Sequence, residues 1–450
     1  MITNISGFPE FLPSEQLIFE RIVKIIRNEF ELYNFLPLDT SAVERNSTLL
    51  AKGNDNEIYG IYRLAERSNE AISKELGLRF DLTVPLARYV AQNYGQLTFP
   101  YRRYHIAPVW RGERPQAGRY RQFYQADIDV IGDGQLDQMH DGEIISIMSR
   151  IFNKIGINNF TIKVNDRVLL TIILKHFGVH EDNIIEAIRV VDKIDKITIE
   201  QFSAQISSVG MSTQGINIIN SWRDKDLTNK EWFTYLSELI KNNNELQEKL
   251  SSLDQLISNV IKFGARQDNI SIDPKMARGL TYYTGIVCET ILKDYPQIGS
   301  VCSGGRYDNL ADNFTNKKLP GFGMSIGLSR LVHTLIGEGF FPLQAPTISN
   351  VMLSVQNRSL MVKYIEIAAQ LRQSNISVEL YLQNKPLGAQ LKYAAKKGFK
   401  YCIIADNSEL DKEIVILRDL QQGAQKEISL NDLTQFPWKV SNRANLGWDE

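Results

Sequence analysis

Residues 101–133, YRRYHIAPVWRGERPQAGRYRQFYQADIDVIGD, hold two apolar runs, HIAPVWRG and YRQFYQADIDVIG, on either side of the polar, glycine-containing ERPQAGR. Strand-like runs around a breaker predict a long antiparallel hairpin with a flexible tip. Arg111 and Glu113 alternate to one face of the first strand, and Arg119 and Arg121 lie on its return. Guanidinium forks suit phosphate oxygens and a carboxylate suits an exocyclic amine, so the set suits ATP. Surface ion pairs on an ordinary exposed hairpin would use the same residues.

Upstream, SEQLIFERIVKIIRNEF (14–30) has Leu17, Ile18, Ile22, Ile25 and Ile26 at helical spacing behind Ser14, which predicts a long amphipathic helix capped by that serine. FLPLDTSAVE reads as extended, and RFDLTVPLARYVAQNYG as a strand end turning at Pro85 into a helix. Downstream, VLLTIILKHF, NIIEAIRVVDKI, WFTYLSELI and LQEKLSSLDQLISNVIKF are successive helical patterns with little strand signal. Strand patterns return in TYYTGIVCETIL and GFGMSIG, with SVCSGGRYDN as a loop between them and the helix LSRLVHTLI after them. Gly337, Gly339, Pro342 and Pro346 punctuate a linker, beyond which strands and helices alternate in a small α/β module. The expected domains are a catalytic core from 1–164 and 263–338, a helical insertion at 165–262, and a C-terminal module at 347–450.

A chain of 450 residues exceeds what one core usually serves, so two or three domains are expected. With 43% hydrophobic and 23% charged residues it has the composition of an ordinary folded protein. Cys288, Cys302 and Cys402 are widely spaced without a zinc pattern, which points to a reducing cytoplasm and no structural metal. His176 and His180 are four apart, but Gly178 between them suggests a helix end. No export signal or run of 18 apolar residues occurs, so no membrane association is expected. A net charge of −1 argues against coating nucleic acid through bulk charge and leaves any RNA contact to local basic segments.

Three segments remain open on residues alone. Gln125, Asp127 and Asp129 alternate along one strand face, as a binding site or any half-buried strand would have them. Arg278, before Gly279 and Leu280, reads by itself as a surface residue at a strand end. KPLGAQLKYAAKKGFKY is a helix closed by Gly398 with Lys392 and Lys396 one turn apart, suited to a phosphate backbone and equally to plain solvation; Tyr393 reads as a stacking partner or a core aromatic.

Three segments together carry a resemblance. WRGERPQAGRYRQFYQADIDVIG resembles the second signature motif of class II aminoacyl-tRNA synthetases, ARGLTYYTG resembles the motif particular to histidyl-tRNA synthetases and their close paralogues, and GFGMSIGLSRL resembles the third class II motif. The resemblance to the histidyl-tRNA synthetase family runs from about Gly7 to Leu433 in the family's motif order. It implies an α+β fold: a six- or seven-stranded antiparallel catalytic sheet with a helical insertion, plus a C-terminal α/β anticodon-binding domain. It implies that Arg111 holds the α-phosphate of ATP, Glu113 the adenine amine and Arg330 the γ-phosphate, with Arg119 and Arg121 on phosphates or the tRNA end, and Gly323 and Gly327 allowing close approach of the nucleotide. Asp81, Thr83 and Gln125 would hold the α-ammonium of L-histidine. Asp129 and Tyr283 would hold its imidazole, with Tyr282 lining the pocket. Arg278 would stand beside the reacting phosphate and carboxylate as the main catalytic group. Arg114 and Gln116 would meet the acceptor end of tRNA, and Lys392 and Lys396 its backbone. Mg2+ would accompany ATP.

Two positions depart from the family's pattern. Ser329 stands where a glutamate is usual before Arg330, and Ser41 where a proline is usual in the first motif, at the interface of an expected homodimer. The rival readings are a non-catalytic histidine-sensing paralogue, which would lack the C-terminal domain and the ATP residues, and a histidine-binding sensor fused to an RNA-binding module.

Overall fold

In the computed structural model, which describes residues 3–51, 58–63, 75–115, 118–277, 282–342 and 347–438, the chain forms two units. One comprises residues 1–9 and 22–334, the other 10–21 and 335–450. The strands of the first are β1 (Leu36–Pro37), β2 (Val43–Arg45), β3 (Leu76–Leu78), β4 (Tyr101–Trp110), β5 (Gln122–Ile131), β6 (Phe160–Asp166), β7 (Ile270–Ile272), β8 (Ile286–Leu292), β9 (Ser300–Tyr307) and β10 (Gly321–Ile326). β4 and β5 are the hairpin of residues 101–133, in continuous antiparallel register from Tyr101 opposite Ile131 to Trp110 opposite Gln122. They seed an eight-stranded sheet in the order β1-β4-β5-β10-β9-β8-β6-β7. The run from β4 to β6 is antiparallel throughout, while the short edges β1 and β7 pair in parallel. Edges of two and three residues are too short for alternation to announce them.

One face of this sheet packs on the helix Met139–Ile155, whose Ile144, Met148, Ile151 and Phe152 are fully buried. That helix ends where Gly156, at φ 90°, takes the left-handed conformation that closes it. The segment between β6 and β7 is helical, from Arg167–His176 to Asn244–Lys262, with Thr198 and Thr228 as N-caps in reciprocal capping boxes.

Two expectations change. The first eight residues of SVCSGGRYDN are strand β9 rather than a loop: a Cβ on Gly304 would lie 2.2 Å from the Gly323 carbonyl oxygen, so glycine here permits close strand approach instead of breaking the strand. The first long helix spans Pro13–Leu32, so Ser14 lies inside it. Pro13 fits the first helical turn because its missing N–H has no intrahelical partner there, and Glu15 Oε2 accepts from the Leu12 amide at 2.7 Å.

The second unit has β11 (Val351–Leu353), β12 (Val378–Leu380), β13 (Tyr401–Ile404), β14 (Ile414–Asp419) and β15 (Gln425–Ser429), ordered β12-β11-β13-β14-β15. The first three are parallel and the last two antiparallel, which makes the sheet mixed. Alternation along β11 sends Val351 and Leu353 into a core with Tyr364, Ile367 and Leu371 of helix Met361–Gln373, and Met352 into one with Ala394 of helix Leu387–Lys397. No helix among the described residues is long and apolar enough to cross a membrane.

Candidate active site

The floor of a cavity of about 970 Å3 is the sheet face opposite helix Met139–Ile155. Period-two alternation turns Gln125, Asp127 and Asp129 of β5 to this face. Register places Ser325 of β10 opposite Asp127, and Gly323 opposite Asp129. A Cβ on Gly323 would stand 2.0 Å from Asp129 Oδ1, so only glycine leaves that carboxylate room.

Three buried carboxyls, Asp81, Asp127 and Asp129, share this end with one fully buried guanidinium, Arg103. Arg103 Nη2 lies 2.7 Å from Asp129 Oδ2 and donates to the Leu82 carbonyl at 3.1 Å. The Tyr307 hydroxyl donates to Asp129 Oδ1 at 2.8 Å. Asp81 Oδ1 accepts from the Val84 amide at 3.0 Å, in the first turn of helix Thr83–Gln92. Burial pushes the Asp81 carboxyl up to about 6, against the pull of the Val84 and Thr83 amides and of Arg111. Burial, with the charge of Asp129 adding, lifts Asp127 to about 7 despite Arg103. Asp129 is raised too, by burial. Three acids against one cation make a place for a ligand group that is cationic and rich in donors.

A carboxyl that binds its proton more tightly folded than unfolded favours folding fully below its unfolded value of 3.8 and loses that advantage as pH rises through about 7. The melting temperature of the ligand-free protein, taken relative to an Asp127→Asn variant, should therefore fall as pH goes from about 4 to about 7. A difference that does not vary with pH contradicts the burial of an ionisable Asp127.

A second cluster in the cavity is cationic. Arg111 Nε donates to the Phe80 carbonyl at 3.0 Å, and its guanidinium lies 5.1 Å from the centroid of the Phe123 ring. Arg330 is pinned by Nε to the Gly118 carbonyl (2.6 Å) and Nη1 to the Ser300 carbonyl (2.9 Å). Burial, then the charges of Arg119 and Arg111, lower its pKa. Like charges held together in a cleft are relieved by a polyanion. Glu113 Oε2 pairs with Arg119 Nε at 3.1 Å. Gly327 also lines the cavity, and Ser329 Oγ accepts from the Tyr124 amide at 2.8 Å, tying the start of helix Leu328–Gly337 to β5.

The cavity thus brings together Asp81, Thr83, Arg111, Glu113, Arg119, Gln125, Asp129, Tyr282, Tyr283, Gly323, Gly327 and Arg330. It leaves out Arg121, whose Nε donates to the Glu113 carbonyl at 3.3 Å and whose stem packs on Gly7. Arg114 is exposed and away from the cavity wall; Gln116 and Arg278 lie outside the described residues. The Tyr282 and Tyr283 rings meet edge to face at 5.0 Å, and burial raises both phenols, so each stays a neutral donor.

Several residues in the wall, and Arg103 buried behind it, were not singled out from sequence. Arg103, Tyr307 and Ser325 are single letters in strands, and only strand register brings them beside Asp127 and Asp129. Arg167, Arg189, Lys193 and Lys196 of the helical segment also line the cavity. A basic repeat on one amphipathic stretch, RVVDKIDK, was the available signal.

In the second unit Lys392 and Lys396 are exposed on helix Leu387–Lys397, which Gly398 closes at φ 85°. Tyr393 is built inward: its hydroxyl donates to Glu379 Oε1 at 2.6 Å and its ring meets Tyr381 at 5.2 Å. Its hydroxyl and one ring contact are thus committed within the unit, with the ring part-buried.

Comparison with known proteins gives the same arrangement a context. A family described as histidyl-tRNA synthetase matches residues 7–331, and one described as anticodon binding domain matches residues 350–436. The chain is 40% identical over 430 residues to a histidine–tRNA ligase of Clostridium tetani, covering 95% of each. It is 38% identical to the histidine–tRNA ligase of Nostoc punctiforme, covering 96% of each. The crystal structure of histidyl-tRNA synthetase from Nostoc sp. PCC 7120 superposes with a TM-score of 0.86 at 34% identity, covering 99% of this chain and 100% of that one.

Proposed function

The chain belongs to the histidyl-tRNA synthetase family, and from that premise we propose how its cavity joins histidine to tRNA at the expense of ATP. The observation that carries the reading is the charge pattern of one cavity: the buried carboxyls Asp81, Asp127 and Asp129 form one cluster and Arg111, Arg119 and Arg330 another, with Arg111 adjoining both. An amino acid with a cationic head belongs at the first and a triphosphate at the second.

Histidine lies with its α-ammonium on Asp81, Thr83 and Gln125. Its imidazole gives one N–H to Asp129 and meets the Tyr283 phenol at the other nitrogen. Arg103 and Tyr307 engage one site on each Asp129 oxygen, and a carboxylate has about four lone-pair sites, so acceptor capacity remains for the ring. Arg111 holds the α-phosphate, Arg330 the γ-phosphate, and Glu113 the adenine amine with Arg119 alongside. Mg2+ would enter with ATP as part of the substrate and offset the phosphate charge, while the carboxyl cluster serves the amino acid.

The histidine carboxylate, already ionised, attacks the α-phosphorus; the bond to the β-phosphate oxygen breaks and pyrophosphate leaves. Arg278, placed by the sequence resemblance, stabilises the charge that develops, so alignment and electrostatics suffice without a protein nucleophile. A ribose hydroxyl of the terminal adenosine then attacks the histidyl carbonyl, forming the ester and releasing AMP. Arg114 and Gln116 on the hairpin tip meet that tRNA end, and Arg121 serves the hairpin through its hold on Glu113. The protein works in the cytoplasm as a homodimer; the exposed Leu36, Val43 and Leu76 around the first motif supply apolar surface for the pairing, and Ser41 Oγ accepts from the Val43 amide where a proline would be usual.

Histidine-dependent pyrophosphate exchange tests the first step, and tRNA charging the second. Converting both Lys392 and Lys396 to alanine should raise the tRNA KM and flatten its salt dependence by about one unit of log–log slope for every phosphate no longer neutralised, leaving exchange intact. Unchanged charging across the salt range would take the lysines out of the tRNA site.

A further inference from the structure

We infer that Ser325 is a positioning residue for the amino-acid end of the cavity: its hydroxyl decides which end of the Gln125 amide faces the substrate. The inference rests on the ammonium placement proposed above. Ser325 stands opposite Asp127 across β10 and β5, half-buried, with Oγ 2.5 Å from Asp127 Oδ1 and 2.8 Å from Gln125 Nε2.

A hydroxyl has one proton and two lone pairs, and Asp127, ionised above about 7 in the empty cavity and at lower pH once an ammonium sits beside it, then only accepts. The Ser325 proton therefore goes to Asp127, and lone pairs alone remain for Gln125. The amide must meet them with its Nε2 hydrogens, which leaves Oε1 for the cavity. Gln125 Oε1 is buried without a hydrogen-bond partner within the described protein, as is Asp81 Oδ2. Buried polar atoms are rarely left so, and two orphaned acceptors in one cavity match an ammonium, which has three donors and no acceptor. Without the serine nothing fixes the amide against a half-turn that would aim its N–H groups at the ammonium and repel it.

The residue acts through Gln125, so the test separates ammonium recognition from general damage. Ser325→Ala should raise the histidine KM in pyrophosphate exchange by about tenfold, the scale of one mis-set hydrogen bond, with the ATP KM unchanged. Inhibition by histidinol, which keeps the ammonium and lacks the carboxylate, should weaken in parallel. Inhibition by imidazolepropionic acid, which lacks the ammonium, should not change. Ser325→Thr, which keeps the hydroxyl, should restore histidinol binding. Equal weakening toward both inhibitors, or no weakening toward histidinol, overturns the inference. Gln125→Ala tells the two failures apart: if it weakens histidinol while Ser325→Ala does not, only the serine's role falls, and if it leaves histidinol untouched, the ammonium placement falls with it.

Discussion

Replacing Arg111 with alanine is expected to slow histidine-dependent pyrophosphate exchange by about 10² to 10³, the scale of one missing transition-state donor. Its guanidinium is aimed by the Phe80 carbonyl and the Phe123 ring, and it makes no ion pair among the described residues. A fork held in place by neutral partners keeps its charge for an incoming phosphate. Lysine should rescue poorly, because a point charge cannot reproduce two parallel N–H bonds. The fold should survive, since Arg111 is only part-buried. Rate constants for folded Arg111→Ala and Arg111→Lys, read beside histidine binding at equilibrium, check this. Exchange within threefold of the parent protein would remove Arg111 from the phosphate site.

Asp129→Ala should be damaging in two ways that calorimetry and kinetics separate. Arg103 and Asp129 are buried together, and removing one partner of a buried pair typically costs about 3 to 5 kcal/mol because the other charge is left uncompensated. The melting temperature should drop sharply. Histidine affinity should fall by about 1.5 to 3 kcal/mol, roughly 10- to 150-fold, for one charge-assisted bond to the ring, with ATP affinity little changed. Asp129→Ala combined with Arg103→Leu should recover much of the stability and none of the histidine affinity. Recovery of both would make Asp129 purely structural.

These two residues show what could and could not be read along the chain. The hairpin carrying Arg111 was legible because two strand-like apolar runs flank a polar, glycine-containing breaker, and ten consecutive residue pairs keep register without a break. Asp129 stood out only through the family resemblance, since an alternating strand reads the same whether its polar face meets solvent or a ligand. Its supports, Arg103 and Tyr307, come from positions 26 before and 178 after it in the chain and meet it only through sheet register and packing. The glycines of β9 misled in the other direction. Glycine marks turns and also marks crowded strand faces, and only the Gly323 carbonyl across from Gly304 tells which applies. The polar strand β15, QKEIS, was missed because an exposed edge strand has no buried face to give it alternation.

A carboxyl cluster and an arginine cluster in one cavity select histidine and ATP for adenylate formation. Pyrophosphate exchange with each of the twenty amino acids offered singly, at saturating ATP and Mg2+, tests this selection most directly. Exchange should require histidine and stay at background with the other nineteen, and in Asp129→Ala the histidine concentration it needs should rise with the lost affinity, about 10- to 150-fold. Histidine binding without exchange, or exchange driven by a different amino acid, would contradict it.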